Sequence, residues 1–238
     1  MRWAELAVVV ALAGAGATVE PAAAKVGDVP ILTYHRVGTS PGFARQVAAL
    51  ERRGYRAVTL GRTWRSWRGE ATLPRRPVVL TFDDGYLSHY RTAARTLRAR
   101  GWPGVLNLQV DRLGVSGGLA RAQVRRMLAD GWELGSHTLS HPDLTAVGSD
   151  RLRRELVGSR EAIQREFGVT TDFFCFPYGR FDAVAKAAVR AAGYLAATTT
   201  HRGLASRGDD PFELPRVSVS PRTSPAALMR RLRAAARG

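Results

Sequence analysis

The chain alternates between short apolar runs rich in β-branched residues and longer segments in which apolar residues recur every three to four positions. The first pattern predicts buried strands, and the second predicts amphipathic helices. Residues 41–54 show the helical pattern, because Phe43, Val47 and Leu50 fall on one face and Gly54 ends the segment. Strands are predicted at residues 30–35, 55–60, 78–82, 104–110, 132–136, 172–176, 195–199 and 214–220. Further helices are predicted at residues 90–100, 119–130, 149–167, 182–192 and from Ser224 onward.

This regular alternation of strand and helix predicts a parallel sheet with helical crossovers. A chain of 238 residues is long enough for one sizeable core and gives no sign of a second domain. We therefore predict an α/β fold in which seven or eight parallel strands form a closed or nearly closed barrel. A doubly wound open sheet is the alternative.

Several predicted strands end in residues that are unusual for a buried core. In a parallel barrel the carboxyl ends of all strands open onto the same face, where α/β folds gather their ligand sites. Any one of these ends could be incidental, and Asp-Gly after the third strand is also a common solvated turn. Their convergence nevertheless predicts one functional site. The strand-end residues are His35, Asp83, Asp84, His137, His141, Pro177 and Tyr178.

The spacing of His137 and His141 indicates a metal site. On a helical turn, residues four apart face the same way and can share one ion. One carboxylate of the adjacent pair Asp83 and Asp84 would complete a two-histidine, one-carboxylate set and leave the other free as a base. Zinc is the first choice for these ligands, although cobalt, nickel or iron would also fit chemically. An isolated pair of this spacing also occurs among ordinary surface or core histidines.

Three short motifs, in this order, resemble the first three motifs of the polysaccharide deacetylases. They are residues 81–86 (TFDDGY), 137–141 (HTLSH) and 177–179 (PYG), and the resemblance extends over residues 29–233. This family is also called the NodB-homology group or carbohydrate esterase family four. Residues 30–37 (PILTYHRV) resemble the branch that includes poly-N-acetylglucosamine deacetylases, in which the strand bearing the acid histidine lies at the N-terminus.

The resemblance implies a distorted (β/α) barrel, a divalent metal and a role for each motif residue. Asp83 would be the general base and His35 the general acid. The backbone N–H of Tyr178 would donate to an oxyanion. The implied metal ligands are Asp84, His137 and His141, and the implied substrate-binding residues are Pro177, Tyr178 and Arg216.

Two positions depart from the family pattern. The family often has an arginine two residues before the proline of the third motif, but Cys175 stands there in this chain. The C-terminal Leu-x-His element is replaced by residues 214–217 (LPRV), which fits the branch in which His35 supplies the acid. The base would therefore lack its charged partner, and Arg216, on a late strand, is the candidate substitute.

The implied activity is removal of N-acetyl groups from a β-linked amino-sugar polymer of the cell envelope, which releases acetate and a free amine. The substrate would be a polysaccharide. One alternative is removal of O-acetyl groups, as from xylan. Another is a carbohydrate-binding barrel without catalysis.

The charge of the chain raises one more class of function. It has 36 basic and 20 acidic residues, a net charge of +16, which could indicate nucleic-acid binding. The basic residues are almost all arginines scattered over predicted helix faces, so no nucleic-acid partner is expected. The single cysteine, Cys175, excludes an intramolecular disulfide. His89 and His201 are expected to be surface residues without a role.

The N-terminus resembles a signal peptide. Arg2 precedes an apolar, alanine-rich run at residues 6–19, and residues 21–25 (PAAAK) resemble a small-residue cleavage site, although Glu5 departs from the pattern. We therefore predict a signal peptide at residues 1–24 and a deacetylase domain at residues 25–238, with an uncleaved helix as the alternative. This predicts export to the periplasm, the cell surface or the medium, and association with the cell envelope.

Overall fold

The computed structural model describes residues 27–38 and 41–237. The predicted signal peptide, residues 1–24, lies outside the described residues. No helix within the described ranges is long and apolar enough to cross a membrane. The strands are β1 (Ile31–Tyr34), β2 (Arg56–Val58), β3 (Pro77–Asp84), β4 (Val105–Leu108), β5 (Glu133–Ser136), β6 (Phe173–Cys175), β7 (Ala196–Arg202) and β8 (Leu214–Ser218). The α-helices are α1 (Gly42–Arg52), α2 (Leu60–Trp67), α3 (Arg95–Arg98), α4 (Arg121–Ala129), α5 (Ser149–Phe167), α6 (Ala183–Ala191) and α7 (Pro225–Ala235).

The strands form a closed parallel barrel. Seven of them pair in the order β1-β8-β7-β6-β5-β4-β3, and pairing between β1 and β3 closes the ring. The remaining strand, β2, pairs with the first half of β3, whereas β4 pairs with its second half. Each predicted strand has a counterpart, and the predicted barrel is confirmed. The doubly wound open sheet is excluded, because its sheet would not close.

Apolar side chains pack the helices against the barrel. One buried cluster joins Leu32 of β1 and Leu80 of β3 to Leu50 of α1 and Leu228 of α7. A second cluster packs α5 and α6 against β6. Burial of each large apolar side chain stabilises the fold by roughly 1.5–3 kcal/mol. The strand ends therefore project from a rigid scaffold.

The predicted helix at residues 90–100 differs most from the structure. Residues His89–Ala94 form a π-helical turn, and only Arg95–Arg98 is α-helical. The wide turn begins at His89, whose buried ring bonds the backbone oxygen of His35 at 2.6 Å. Such turns are rare inside helices and are frequent near functional sites. The helix that follows the Asp83-Asp84 strand is thus joined directly to the loop that carries His35.

Candidate active site

The carboxyl ends of the strands meet around one open cleft of about 490 Å³. The predicted convergence of four strand ends is therefore confirmed, because loops after β1, β3, β5 and β6 all reach this cleft. Pro177, at the start of the third motif, is buried and does not line it. The cleft is lined by His35, Asp84, Tyr86, Gln109, Arg112, Ser140, His141 and Tyr178.

Three side chains have the spacing of ligands to one metal ion. Oδ1 of Asp84 lies 3.5 Å from Nε2 of His137 and 3.5 Å from Nε2 of His141. The two Nε2 atoms are 3.1 Å apart. Ligand atoms bound tetrahedrally to zinc at its usual bond lengths lie about 3.3 Å from one another. These residues could therefore hold a divalent metal without rearrangement.

The second motif forms a loop and not the helical turn that we predicted from its spacing. After β5 the backbone turns through Thr138 and His141, which have positive φ angles of 67° and 64°. Oγ1 of Thr138 accepts a hydrogen bond from the N–H of His141 at 2.8 Å. The helical interpretation was wrong because a tight loop also brings residues four apart to the same side. The conclusion that both imidazoles face one point is confirmed.

A buried glutamate on α5 holds this loop in place. Oε2 of Glu155 accepts from the backbone N–H of Leu139 at 3.0 Å and of Ser140 at 2.9 Å. Its Oε1 accepts from the Ser140 hydroxyl at 2.5 Å. Backbone N–H groups without a partner are costly, so a single carboxylate fixes the conformation of the peptides between the two histidines.

The orientation of His137 is set by the backbone of β6. Its Nδ1 donates to the carbonyl oxygen of Cys175 at 2.7 Å, which leaves Nε2 as the lone-pair nitrogen that faces Asp84. Histidines that bind metals usually have such an outer hydrogen bond. The side chains of Asp83, His137 and Cys175 form a second group with ligand-type atoms within 4.8 Å of one another. However, Asp83 is already occupied by other partners.

Those partners keep Asp83 ionised. The carboxylate is 1% exposed and accepts hydrogen bonds from Nη1 of Arg216 at 3.0 Å and from Nδ2 of Asn107 at 2.7 Å. Burial by itself would raise the pKa of Asp83. The Arg216 guanidinium, helped by nearby histidines and Asn107, outweighs burial and holds that pKa below its ordinary value. Asp83 is therefore a buried carboxylate that is charged at neutral pH.

The two adjacent aspartates have different partners, although both carboxylates lie close to His137. Asp83 faces Arg216, whereas Asp84 faces the cleft and the two histidines. Asp84 also has a positive φ of 79°, a conformation that costs energy in a residue other than glycine. Burial opposes the charged form of Asp84, but the neighbouring histidines lower its pKa well below the ordinary range.

Arg216 lies beneath the base and not in the cleft. It is 3% exposed, and its Nε donates to the backbone oxygen of Thr199 at 2.7 Å. Of the two roles expected for Arg216, partner of the base and substrate contact, this placement favours the first. Arg216, on β8, therefore supplies a positive charge directly beside Asp83.

His35 follows β1 directly and reaches the cleft from the side of the base. Its side chain is 58% exposed, and its Nε2 lies 3.8 Å from Oδ2 of Asp83. The prediction that His89 is a surface residue is wrong, because His89 is fully buried. Burial lowers the pKa of His89 to about 4, so its neutral ring donates to the backbone oxygen of His35. His201 is exposed, as predicted.

The third motif forms the predicted tight turn. Tyr178 has a φ of 58° within Pro177–Gly179, and its side chain is exposed. The Tyr178 ring packs edge-on against His141 with ring centroids 4.6 Å apart. A Cβ at position 179 would lie 2.1 Å from Oγ1 of Thr200, so the turn requires Gly179. The turn thus places Tyr178 against one of the candidate metal ligands.

Comparison with known proteins agrees with this arrangement. The sequence profile of the family described as polysaccharide deacetylase matches residues 70–197, more than half of the chain. The chain belongs to the polysaccharide deacetylase family.

Similar proteins extend the match beyond the profile. A candidate polysaccharide deacetylase of Bacillus subtilis, YxkH, is 27% identical over 210 residues, which cover 85% of this chain and 75% of that protein. The poly-β-1,6-N-acetyl-D-glucosamine N-deacetylase of Escherichia coli K12 is 28% identical over 218 residues and 74% of this chain. This chain spans only 32% of that protein's length. The structure of IcaB from Ammonifex degensii is 28% identical and superposes with a TM-score of 0.76, covering 85% of this chain and 96% of that one.

Two residues of the candidate site were missed in the sequence. Asn107 interrupts the apolar run of β4 with one buried amide, and this single polar residue was an available signal. Glu155 lies among the buried positions Leu152 and Leu156 of α5, which marks it as an unusual buried acid. Neither residue belongs to a motif, so their partners became apparent only in the folded chain.

Proposed function

We propose that this chain is a metal-dependent deacetylase that hydrolyses N-acetyl groups of an amino-sugar polymer. The polymer would be an N-acetylglucosamine-containing cell-envelope material or exopolysaccharide, and the products would be a free amine and acetate. One observation carries the proposal. A three-residue ligand set, a buried ionised carboxylate and an exposed histidine converge on one cleft. The name of the E. coli relative is consistent with this substrate class.

Asp84, His137 and His141 would hold the metal. Two imidazoles and one carboxylate suit zinc first, with cobalt, nickel or iron as alternatives. Such an ion polarises a carbonyl oxygen and lowers the pKa of water. The backbone N–H of Tyr178 would donate to the oxyanion that forms on the acetyl carbonyl.

Asp83 would act as the general base on the attacking water. Its contacts with Arg216 and Asn107 keep it charged and oriented, as a proton acceptor must be at neutral pH. The departing amine is a poor leaving group unless its nitrogen is protonated, so the reaction also needs an acid. His35 is the candidate, because it is exposed in the cleft beside the base.

We also propose that the protein is exported and acts at the cell envelope. The signal-like residues 1–24 and a polymer substrate outside the cytoplasm support this location. N-terminal sequencing of the secreted or envelope fraction should give a chain that begins near Lys25. An intact Met1 in the cytoplasmic fraction would contradict export.

The decisive assay is acetate release from a panel of polymers. The panel contains chito-oligomers, poly-N-acetylglucosamine, peptidoglycan and acetylxylan, each tested after chelation and again after metal is added back. We expect acetate from an N-acetylated polymer, loss on chelation and recovery with metal. Acetate from acetylxylan alone would indicate an O-acetyl esterase. Binding without acetate from any polymer would indicate an inactive carbohydrate-binding barrel.

A further inference from the structure

Two arginines lie beside the cleft and share one aromatic ring. Arg36 follows His35 directly, and Arg112 ends the helical turn Val110–Arg112 after β4. Their guanidinium carbons lie 4.3 and 4.5 Å from the ring centroid of Tyr86. We call Arg36, Tyr86 and Arg112 the arginine clamp.

Within residues 27–38 and 41–237, neither arginine of the clamp forms an ion pair with an acidic side chain. Arg112 donates to Oε1 of Gln109 at 3.3 Å, which leaves its charge uncompensated. The nearest acids of the site have other partners, because Asp83 pairs with Arg216 and Asp84 faces the histidines. One positive charge, that of Arg112, therefore lines the cleft, and a second, that of Arg36, lies against the same Tyr86 ring.

The clamp differs from other stacked arginines, such as Arg76 on Tyr55, because two guanidinium groups share one ring and that ring lines the cleft. An exposed arginine usually moves freely in water, and binding an anion then costs side-chain entropy. In the clamp, stacking on Tyr86 has already restricted both guanidinium groups. Tyr86 and Arg112 also line the cleft that holds the candidate catalytic groups. A guanidinium held in this way suits a carboxylate or phosphate, which it binds with paired hydrogen bonds.

We propose that the arginine clamp is an anion subsite for a carboxylate or phosphate group on the sugar next to the one that is deacetylated. The inference rests on the proposed function for the identity of the reacting sugar. If the clamp binds such a group, the substrate class is narrowed from any N-acetylated polymer to an acidic one. Deacetylation leaves an ammonium group, which the fixed guanidinium groups repel, so the subsite also favours the acetylated polymer over the product.

The test compares three oligomers of equal length with the zinc-loaded full chain. One is neutral N-acetylglucosamine, one carries a carboxylate as a lactyl ether on alternate sugars, and one carries a phosphate ester at that position. We expect at least one acidic oligomer to have a kcat/KM about fivefold above the neutral one, mainly through KM. This advantage should shrink as sodium chloride is raised. The oligomer that gains identifies the anion.

Variants of the clamp provide the controls. Arg36→Gln and Arg112→Gln should each lower the acidic-to-neutral ratio of kcat/KM by about three- to tenfold. Tyr86→Leu keeps both charges but removes their support, and it should also lower the ratio. Arg154→Gln removes one charge from an exposed position on α5 and should leave the ratio unchanged.

Equal kcat/KM for all three oligomers, or an unchanged ratio in both clamp arginine variants, would overturn the inference while the proposed function stands. Calorimetric binding of the same oligomers to Asp83→Asn separates the two claims. Tighter binding of an acidic oligomer that is lost in Asp83→Asn/Arg112→Gln would support the subsite even without acetate release. Absence of acetate from every oligomer with the zinc-loaded wild type would then count against the proposed function alone.

Discussion

Replacing Arg216 by methionine should leave the base buried without its counter-charge. Arg216 and Asp83 are 3% and 1% exposed, and Nη1 of Arg216 lies 2.9 Å from Oδ2 of Asp83. Removing one partner of a buried pair costs about 3–5 kcal/mol, because the remaining charge has lost its compensation. For a domain of this size each kcal/mol lowers Tm by roughly 2–4 °C. Arg216→Met should therefore melt roughly 6–20 °C below the wild type at pH 7.5 in the presence of chelator.

The same change should reverse the pH dependence of this contribution. In the wild type the pKa of Asp83 lies below its ordinary value of 3.8, so its stabilisation is present above that pH and is lost as the pH falls through the folded pKa. In Arg216→Met, burial would dominate and raise the pKa of Asp83. The variant should then be closest to the wild type in acid and fall furthest behind at neutral pH.

A double-mutant cycle tests the reasoning. Asp83→Asn removes the charge that Arg216 compensates, so Arg216→Met should cost much less stability in the Asp83→Asn background. Arg202→Met is the matched control, since Arg202 is exposed and lies opposite Arg216 in the backbone register of β7 and β8. Equal losses of Tm in the two backgrounds, or no loss in either, would refute the compensation argument.

Other residues give three further predictions. His35→Asn should retain zinc and lose roughly 10²–10⁴-fold in turnover of acetamido substrates. Its turnover of an aryl acetate should be retained, because that leaving group needs little protonation. Equal losses on both substrates would argue against an acid role. Glu155→Ala should weaken zinc binding roughly 10–100-fold by calorimetry, because it frees the loop between the histidines, whereas exposed Glu161→Gln should not. Burial raises the pKa of Glu133 to about 7, so its contribution favours folding at low pH and is lost as the pH rises through 7. Glu133→Gln should therefore abolish the fall in unfolding free energy that the wild type shows between pH 5 and 8 in denaturant titrations. An unchanged fall would contradict this assignment.

The barrel could be predicted from the sequence because its signals are local. Apolar runs such as residues 78–82 predict strands wherever they occur, and their alternation with helices restricts the connections to right-handed crossovers. The carboxyl ends of parallel strands share one face, so His35 and Asp84 could be assigned to a common cleft before their distances were known.

The remaining features depend on contacts between distant parts of the chain. The loop conformation of residues 137–141 depends on Glu155, and spacing alone could not distinguish it from a helical turn. His89 was misjudged because its partner, the backbone oxygen of His35, lies 54 positions earlier in the chain. Arg216 and Asp83 are 133 positions apart, so their pairing leaves no local signal in the sequence. Arg216 could be suggested as the partner only because Cys175 stands where the family often has an arginine.

The most direct test of the central claim is a zinc titration of the chelated protein, followed by acetate release from an N-acetylglucosamine oligomer. We expect acetate release to rise in proportion to zinc and to level off at one ion per chain, because Asp84, His137 and His141 form one ligand set. In His137→Ala/His141→Ala, zinc added at about one ion per chain should not restore acetate release. Acetate release that survives chelation, or that the double variant retains, would contradict the account.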